Sequence, residues 1–158
     1  MATSPQLWSE LLATFHKDLP LTTQLHKLLL QERSALENRD YDNIKTLLAD
    51  KNSLVKNLKQ HAHTRMHALQ AAGLADETAT LNAAEQESPI VAKAWRQLAQ
   101  QWDECQHLNA VNERILQRTR LVVNQTLDLL RGANQQNRLY DPKGMANNNS
   151  SGRSITSA

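Results

Sequence analysis

The chain holds a single cysteine, Cys105, among its 158 residues. An internal disulfide is excluded, and the composition fits a reducing compartment. Aromatic residues make up only 4% of the sequence, and glycine and proline number four each. Chains so poor in aromatics and turn-formers do not build β-sandwiches or barrels. No apolar run approaches the roughly 20 residues a membrane-spanning helix needs. The opening Met1-Ala-Thr-Ser-Pro-Gln has neither a basic stretch nor an apolar one, so no signal peptide is expected and the chain is read as cytoplasmic. An excess of one charge is lacking too. The 18 basic and 16 acidic residues leave a formal +2, with the signs interspersed. Without a basic stripe, nucleic acid is a poor candidate partner.

What the sequence does have is leucine at helical spacing. All eight glycines and prolines fall where helices could begin, bend or end, or near the C-terminus. Ser4-Pro5 reads as an N-cap followed by proline at the first helical position. Leu7, Trp8, Leu11, Leu12, Phe15 and Leu19 then recur at three- and four-residue steps, continuing as Leu21, Leu25, Leu28, Leu29 and Leu36. Pro20 predicts a kink or a short break near residues 18–20, in a segment running to about Asn38. Asp40 caps a second stripe from Ile44 to Leu69, which Gly73 should end. Asp76 opens either a short helix to about Gln86 or a loop. Ser88-Pro89 repeats the start signal, and the stripe from Val91 to Leu130 predicts the longest helix, ending at Gly132. The expected fold is all-α: an elongated antiparallel bundle of three long helices plus a short one, over residues 1–132. Residues 133–158, rich in Asn, Gln, Ser and Gly, read as a mobile C-terminal tail with too little apolar surface to offset its ordering entropy.

Bond-making chemistry finds no support. His63 and His67 share the i, i+4 spacing of a metal pair, but they lie on a polar stripe with Asn52, Lys56 and Lys59, where lysines would repel a cation. Cys105 and His107 are two apart and point about 200° from one another on a helix. No phosphate loop, serine elbow or carboxylate constellation is present. The chain is read as having no catalytic residue, no metal, no cofactor and no small-molecule substrate. Two polar residues interrupt apolar stripes instead, and one tyrosine stands in the polar tail. Asn112 takes a seam position, either to fix register or to mark a polar spot in a protein-binding groove. Lys51 either pairs with Glu32 across the first hairpin or lays its stem on the core and its ammonium in water. Tyr140, beside Leu139 and before Asp141-Pro142-Lys143-Gly144, either folds back onto the bundle end or serves as a docking anchor; the second reading is favoured.

The order of landmarks resembles the FlgN family of flagellar export chaperones. It runs from Leu28-Leu29-Leu30-Gln31-Glu32-Arg33-Ser34-Ala35-Leu36 through Arg39-Asp40 and Lys51–Leu58 to Cys105, Asn109 and Asn112. It closes with Leu129-Leu130-Arg131-Gly132 and Leu139-Tyr140-Asp141-Pro142-Lys143-Gly144. The family often has glycine after the second Asn; here Glu113 stands there and favours an unbroken helix. The resemblance implies a cytoplasmic helper that holds the hook-associated proteins FlgK and FlgL and brings them to the export gate protein FlhA. It implies gate docking through Tyr140 with Leu139. Cargo is expected on the third long helix and the tail, at Ile115, Val122, Leu129, Met145 and Ile155. The rival reading is a structural coiled-coil scaffold that oligomerises through the same stripes.

Overall fold

In the first helix the residues that turn inward alternate three and four positions apart. The structure, a computed structural model, describes residues 4–139, with side chains through Gly132. Helix α1 spans Pro5–Glu37 and buries Trp8, Leu11, Phe15, Asp18, Thr22, Leu25, Leu29, Glu32 and Leu36. That spacing is a heptad seam, the pattern that lets one helix lie along another. Three of its positions are polar. The leucines between them, such as Leu28, flank the seam and are only partly buried. Burying a leucine as fully as Leu29 contributes about 1.5–3 kcal/mol.

Pro20 neither breaks nor ends α1, contrary to one of the two outcomes its position predicts. Pro20 and His16 are both exposed, so the His16 carbonyl that loses its N–H partner can turn to water. Ser4 occupies the N-cap position, yet its side chain makes no capping bond.

The α1–α2 connection is a Schellman turn. Asp40 N–H donates to the Ala35 carbonyl at 2.9 Å and Arg39 N–H to that of Leu36 at 3.3 Å. Arg39 takes the left-handed position, with φ 56°, that glycine usually fills. Helix α2, Tyr41–Ala71, then starts on Asp40, whose carboxylate accepts from Asn43 N–H. It ends in a second turn of the same kind, with Gly73 at φ 77° and Leu74 N–H donating to Leu69.

Helix α3, Glu77–Glu87, forms where a helix and a loop were both open. Asp76 caps it through Ala79 N–H at 2.9 Å. Its buried face is Thr80 and Ala84, small residues that carry little pattern in a sequence, whereas Leu81 is only partly buried. Helix α4, Pro89–Leu139, runs through Gly132, so the helix end expected there lies further on. Gly132 does not adopt positive φ, and the left-handed geometry that would make it a stop is missing.

The described elements are four helices, and the fold is an all-α helical bundle. The chain divides into two units, one up to Leu116 and one from Gln117. In the first, α1 and α2 pack antiparallel: Asp18 meets Arg65, and Glu32 meets Lys51. Helix α4 runs parallel to α1, as the third long helix of an up-down-up order must: successive ties join Thr22 to Cys105 and Leu29 to Asn112, while Trp8 donates to Glu87 at the end of α3. One apolar cluster joins Trp8, Leu11 and Phe15 to Ala84, Val91 and Ala92. A second gathers Leu25, Leu29, Leu54, Leu58 and Cys105. No helix among the described residues is long and apolar enough to cross a membrane.

Candidate functional site

Two polar layers cross the first unit. In one, Lys51 Nζ donates to Glu32 Oε1 at 2.8 Å and to Asn109 Oδ1 at 3.1 Å. Asn112 Nδ2 donates to Glu32 Oε2 and to the Leu29 carbonyl, both at 2.9 Å. The structure thus brings Glu32, Lys51 and Asn112 together, and adds Asn109. The Lys51 and Glu32 side chains are only 14% and 9% exposed, so their charges face each other rather than solvent. Asn112 Oδ1 is buried without a hydrogen-bond partner among the described residues.

Sequence reasoning missed the second layer. Asp18, fully buried on α1, accepts from Arg65 of α2 and lies 2.6 Å from His61 Nδ1. Arg65 also lies over the Phe15 ring, 5.1 Å from its centroid. The signal was available. Asp18 falls between Phe15 and Thr22 on the three-four seam, whereas the leucine count led through Leu19 instead.

Beside that layer lies an apolar groove of about 540 Å³. Phe15, Asp18 and Thr22 of α1 form its floor. Leu58, Ala62, Met66 and Leu69 of α2 form one wall, and Trp95, Leu98 and Trp102 of α4 the other. The sequence showed these residues as core stripes, and their spacing alone does not place the groove they line.

In α4 the seam through Cys105, Leu108 and Asn112 continues at the same spacing through Ile115, Thr119, Val122, Thr126 and Leu129. Ile115 is half-buried, but every side chain from Arg120 to Gly132 is exposed. Val122 is 58% exposed and Leu129 75%, and Leu121, Val123 and Leu130 stand open beside them. Isolated exposed leucines are ordinary; here six large apolar side chains, Leu121, Val122, Val123, Leu127, Leu129 and Leu130, stand open within ten residues. Leu139 is the last residue of α4, with its side chain outside the description. Tyr140, Met145 and Ile155 lie outside the described residues.

Burial pushes the Cys105 thiol up to about 11, with a smaller push from the Glu104 carboxylate. It donates to the Thr22 carbonyl at 3.7 Å and packs as a small core residue. His63 and His67 meet edge to face, 4.5 Å between ring centres. Among the described residues no group of three or more His, Cys, Asp or Glu is placed to hold a metal.

Fold and surface together define the class: an all-α bundle that presents apolar helix faces. Comparison with curated proteins and with solved structures returns no match. A family model does match: that of the FlgN protein, over residues 1–148. The chain belongs to the FlgN family, and its general role is that of a flagellar export chaperone.

Proposed function

We propose that this chain is a cytoplasmic, non-enzymatic type III export chaperone that holds FlgK and FlgL, prevents their premature assembly and delivers them to FlhA. The observation that carries the reading is the exposed face of α4, where a heptad seam runs on through Val122 and Leu129 with its apolar residues open to water. Such a face suits an amphipathic cargo helix, read at i, i+3, i+4 and i+7. Residues 117–132 carry three arginines and one aspartate, so two copies side by side would repel. That favours a cargo over the scaffold alternative, in which the same seam pairs chain with chain. Moderate affinity suits the role, because a chaperone must let go.

Ile115, Val122 and Leu129 form the helical part of the cargo surface, with Met145 and Ile155 extending it. Tyr140 with Leu139 serves gate docking. Glu32, Lys51 and Asn112 fix the register of α1 against α2 and α4, since a slip by one heptad would set a charge against a leucine.

A Val122→Asp/Leu129→Asp variant tests the cargo surface. Titration against FlgK and FlgL should show affinity down by about a hundredfold, as expected when two apolar anchors are replaced by charge. Wild-type affinity would remove the surface from the account. Tyr140→Ala should keep cargo affinity and lose binding to the cytoplasmic part of FlhA; unchanged gate affinity would end that assignment. Sedimentation of the chain alone separates chaperone from scaffold, a small species favouring the first and a concentration-dependent oligomer the second.

A further inference from the structure

We propose, on the basis of the cargo surface read above, that the helix received by the exposed face of α4 carries carboxylates along both edges of its apolar stripe. At about 100° per residue, Leu129, Val122, Leu130, Val123 and Leu127 fall in that order on one arc of α4, about 160° wide. All five are exposed. Thr126 falls inside the arc too, but its hydroxyl donates to the Val122 carbonyl at 2.8 Å and needs nothing from a partner. Leu121 stands outside the arc. An apolar arc of this width is what an amphipathic helix buries against another helix.

Cations frame the arc. Arg118 falls about 20° beyond Leu129, and on the other edge Arg120 and Arg131 fall about 20° and 40° beyond Leu127. All three are exposed, and among the described residues none of them forms an ion pair. The one carboxylate of residues 117–132, Asp128, falls opposite the middle of the arc, about 100° from either edge. Glu113, in the stretch before, lies about two turns short of Arg120 and has Arg114 beside it. A helix seated on the arc therefore sets its flanking positions against free guanidinium groups, which take carboxylates in bidentate pairs. Lysines at those positions would be repelled, and so would a second copy of this face. The chain's own residues 140–158 do not supply such a helix, since their charged residues are Asp141, Lys143 and Arg153. A bilayer surface is the poorer occupant. Residues 117–132 contain no Trp, Phe, Tyr or Lys, and Gln117, Asn124 and Gln125 dilute the charge of the polar face.

The test uses the full chain and fluorescent synthetic peptides of about five helical turns, each with one leucine stripe flanked by glutamates, by glutamines or by lysines. Anisotropy should show the glutamate peptide binding at least about tenfold tighter than the glutamine peptide, with the lysine peptide weakest. The preference should shrink at about 0.5 M salt. Arg118→Glu/Arg120→Glu/Arg131→Glu should reverse the order and leave the thermal melt unchanged, because all three side chains are in water. Val122→Asp/Leu129→Asp should abolish binding of every peptide. The partner's charge is refuted if the three peptides bind alike, if none binds, or if the arginine variant leaves the order in place. It is equally refuted if peptide binding survives Val122→Asp/Leu129→Asp, or if phosphatidylglycerol vesicles displace the glutamate peptide. Where that happens while Val122→Asp/Leu129→Asp still weakens FlgK and FlgL binding, the cargo surface stands and the partner's charge alone is refuted. Wild-type affinity of that variant for FlgK and FlgL would remove the surface, and the partner's charge with it.

Discussion

Glu32 shows how a residue that looks misplaced is made tolerable. A carboxylate on the inward face of a leucine-rich helix costs several kcal/mol of desolvation unless it is paired and hydrogen-bonded. Lys51 and Asn112 occupy both its oxygens, and Asn109 takes a second donor of Lys51. Lys51→Ala would strand the charge and should lower unfolding free energy by about 3–5 kcal/mol in urea titration, whereas Glu32→Leu/Lys51→Met should recover most of that loss. A single variant as stable as wild type would mean the carboxylate finds water instead. Cys105 behaves in the opposite way, being buried without charge. Its folded pKa of about 11 lies above the ordinary thiol value of 9.0, so above pH 9 the unfolded chain loses its thiol proton first. The thiol's contribution is whole below pH 9 and falls away as pH rises towards 11. Two pH units at 1.36 kcal/mol each set a ceiling of about 2.7 kcal/mol. Wild type should therefore lose more stability than Cys105→Ala between pH 8 and pH 11; parallel curves would show a thiol open to solvent.

At the scale of elements, much was legible in the chain and the failures have physical causes. Helix starts at Pro5, Tyr41 and Pro89 follow from Ser4-Pro5, Asp40 and Ser88-Pro89, because capping and proline act locally. The end of α2 follows from Gly73 for the same reason. Gly132 misled because a glycine stops a helix only when it turns left-handed, and inside α4 it does not. The side chain that an alanine would add there meets nothing within 4 Å, so space does not explain the glycine either. Pro20 misled in part, since an exposed carbonyl one turn back lets a helix pass through a proline. Asp18 was not legible because Leu19 beside it carries the apolar signal one position off the heptad seam. The pairing of Lys51 with Glu32 lay within reach, as both stand on adjacent seams of one hairpin, while the groove needed the backbone to show it. The exposed half of α4 makes its own prediction. Its side chains bury almost nothing, so the Val122→Asp/Leu129→Asp variant should melt within about 2 °C of wild type. A collapsed melt would show that α4 is held there by contacts of its own.

For the molecule as a whole, the packed core and the proposed cargo surface fall on different stretches of chain. The residues up to Leu116 contain the apolar clusters and both polar layers. The α4 residues beyond them offer apolar surface that folding leaves uncovered, the property a flagellar export chaperone needs in order to shield another protein's helix. Membership of the FlgN family supplies the setting, and the exposed seam is the surface proposed to hold the cargo. Amide hydrogen exchange along α4 tests that link most directly, measured for the chain alone and with FlgK or FlgL bound. The account predicts fast exchange from Arg120 to Gly132 in the free chain and strong protection of that stretch in the complex, with residues 91–112 slow in both. Cargo bound at full affinity with exchange from Arg120 to Gly132 unchanged would contradict it.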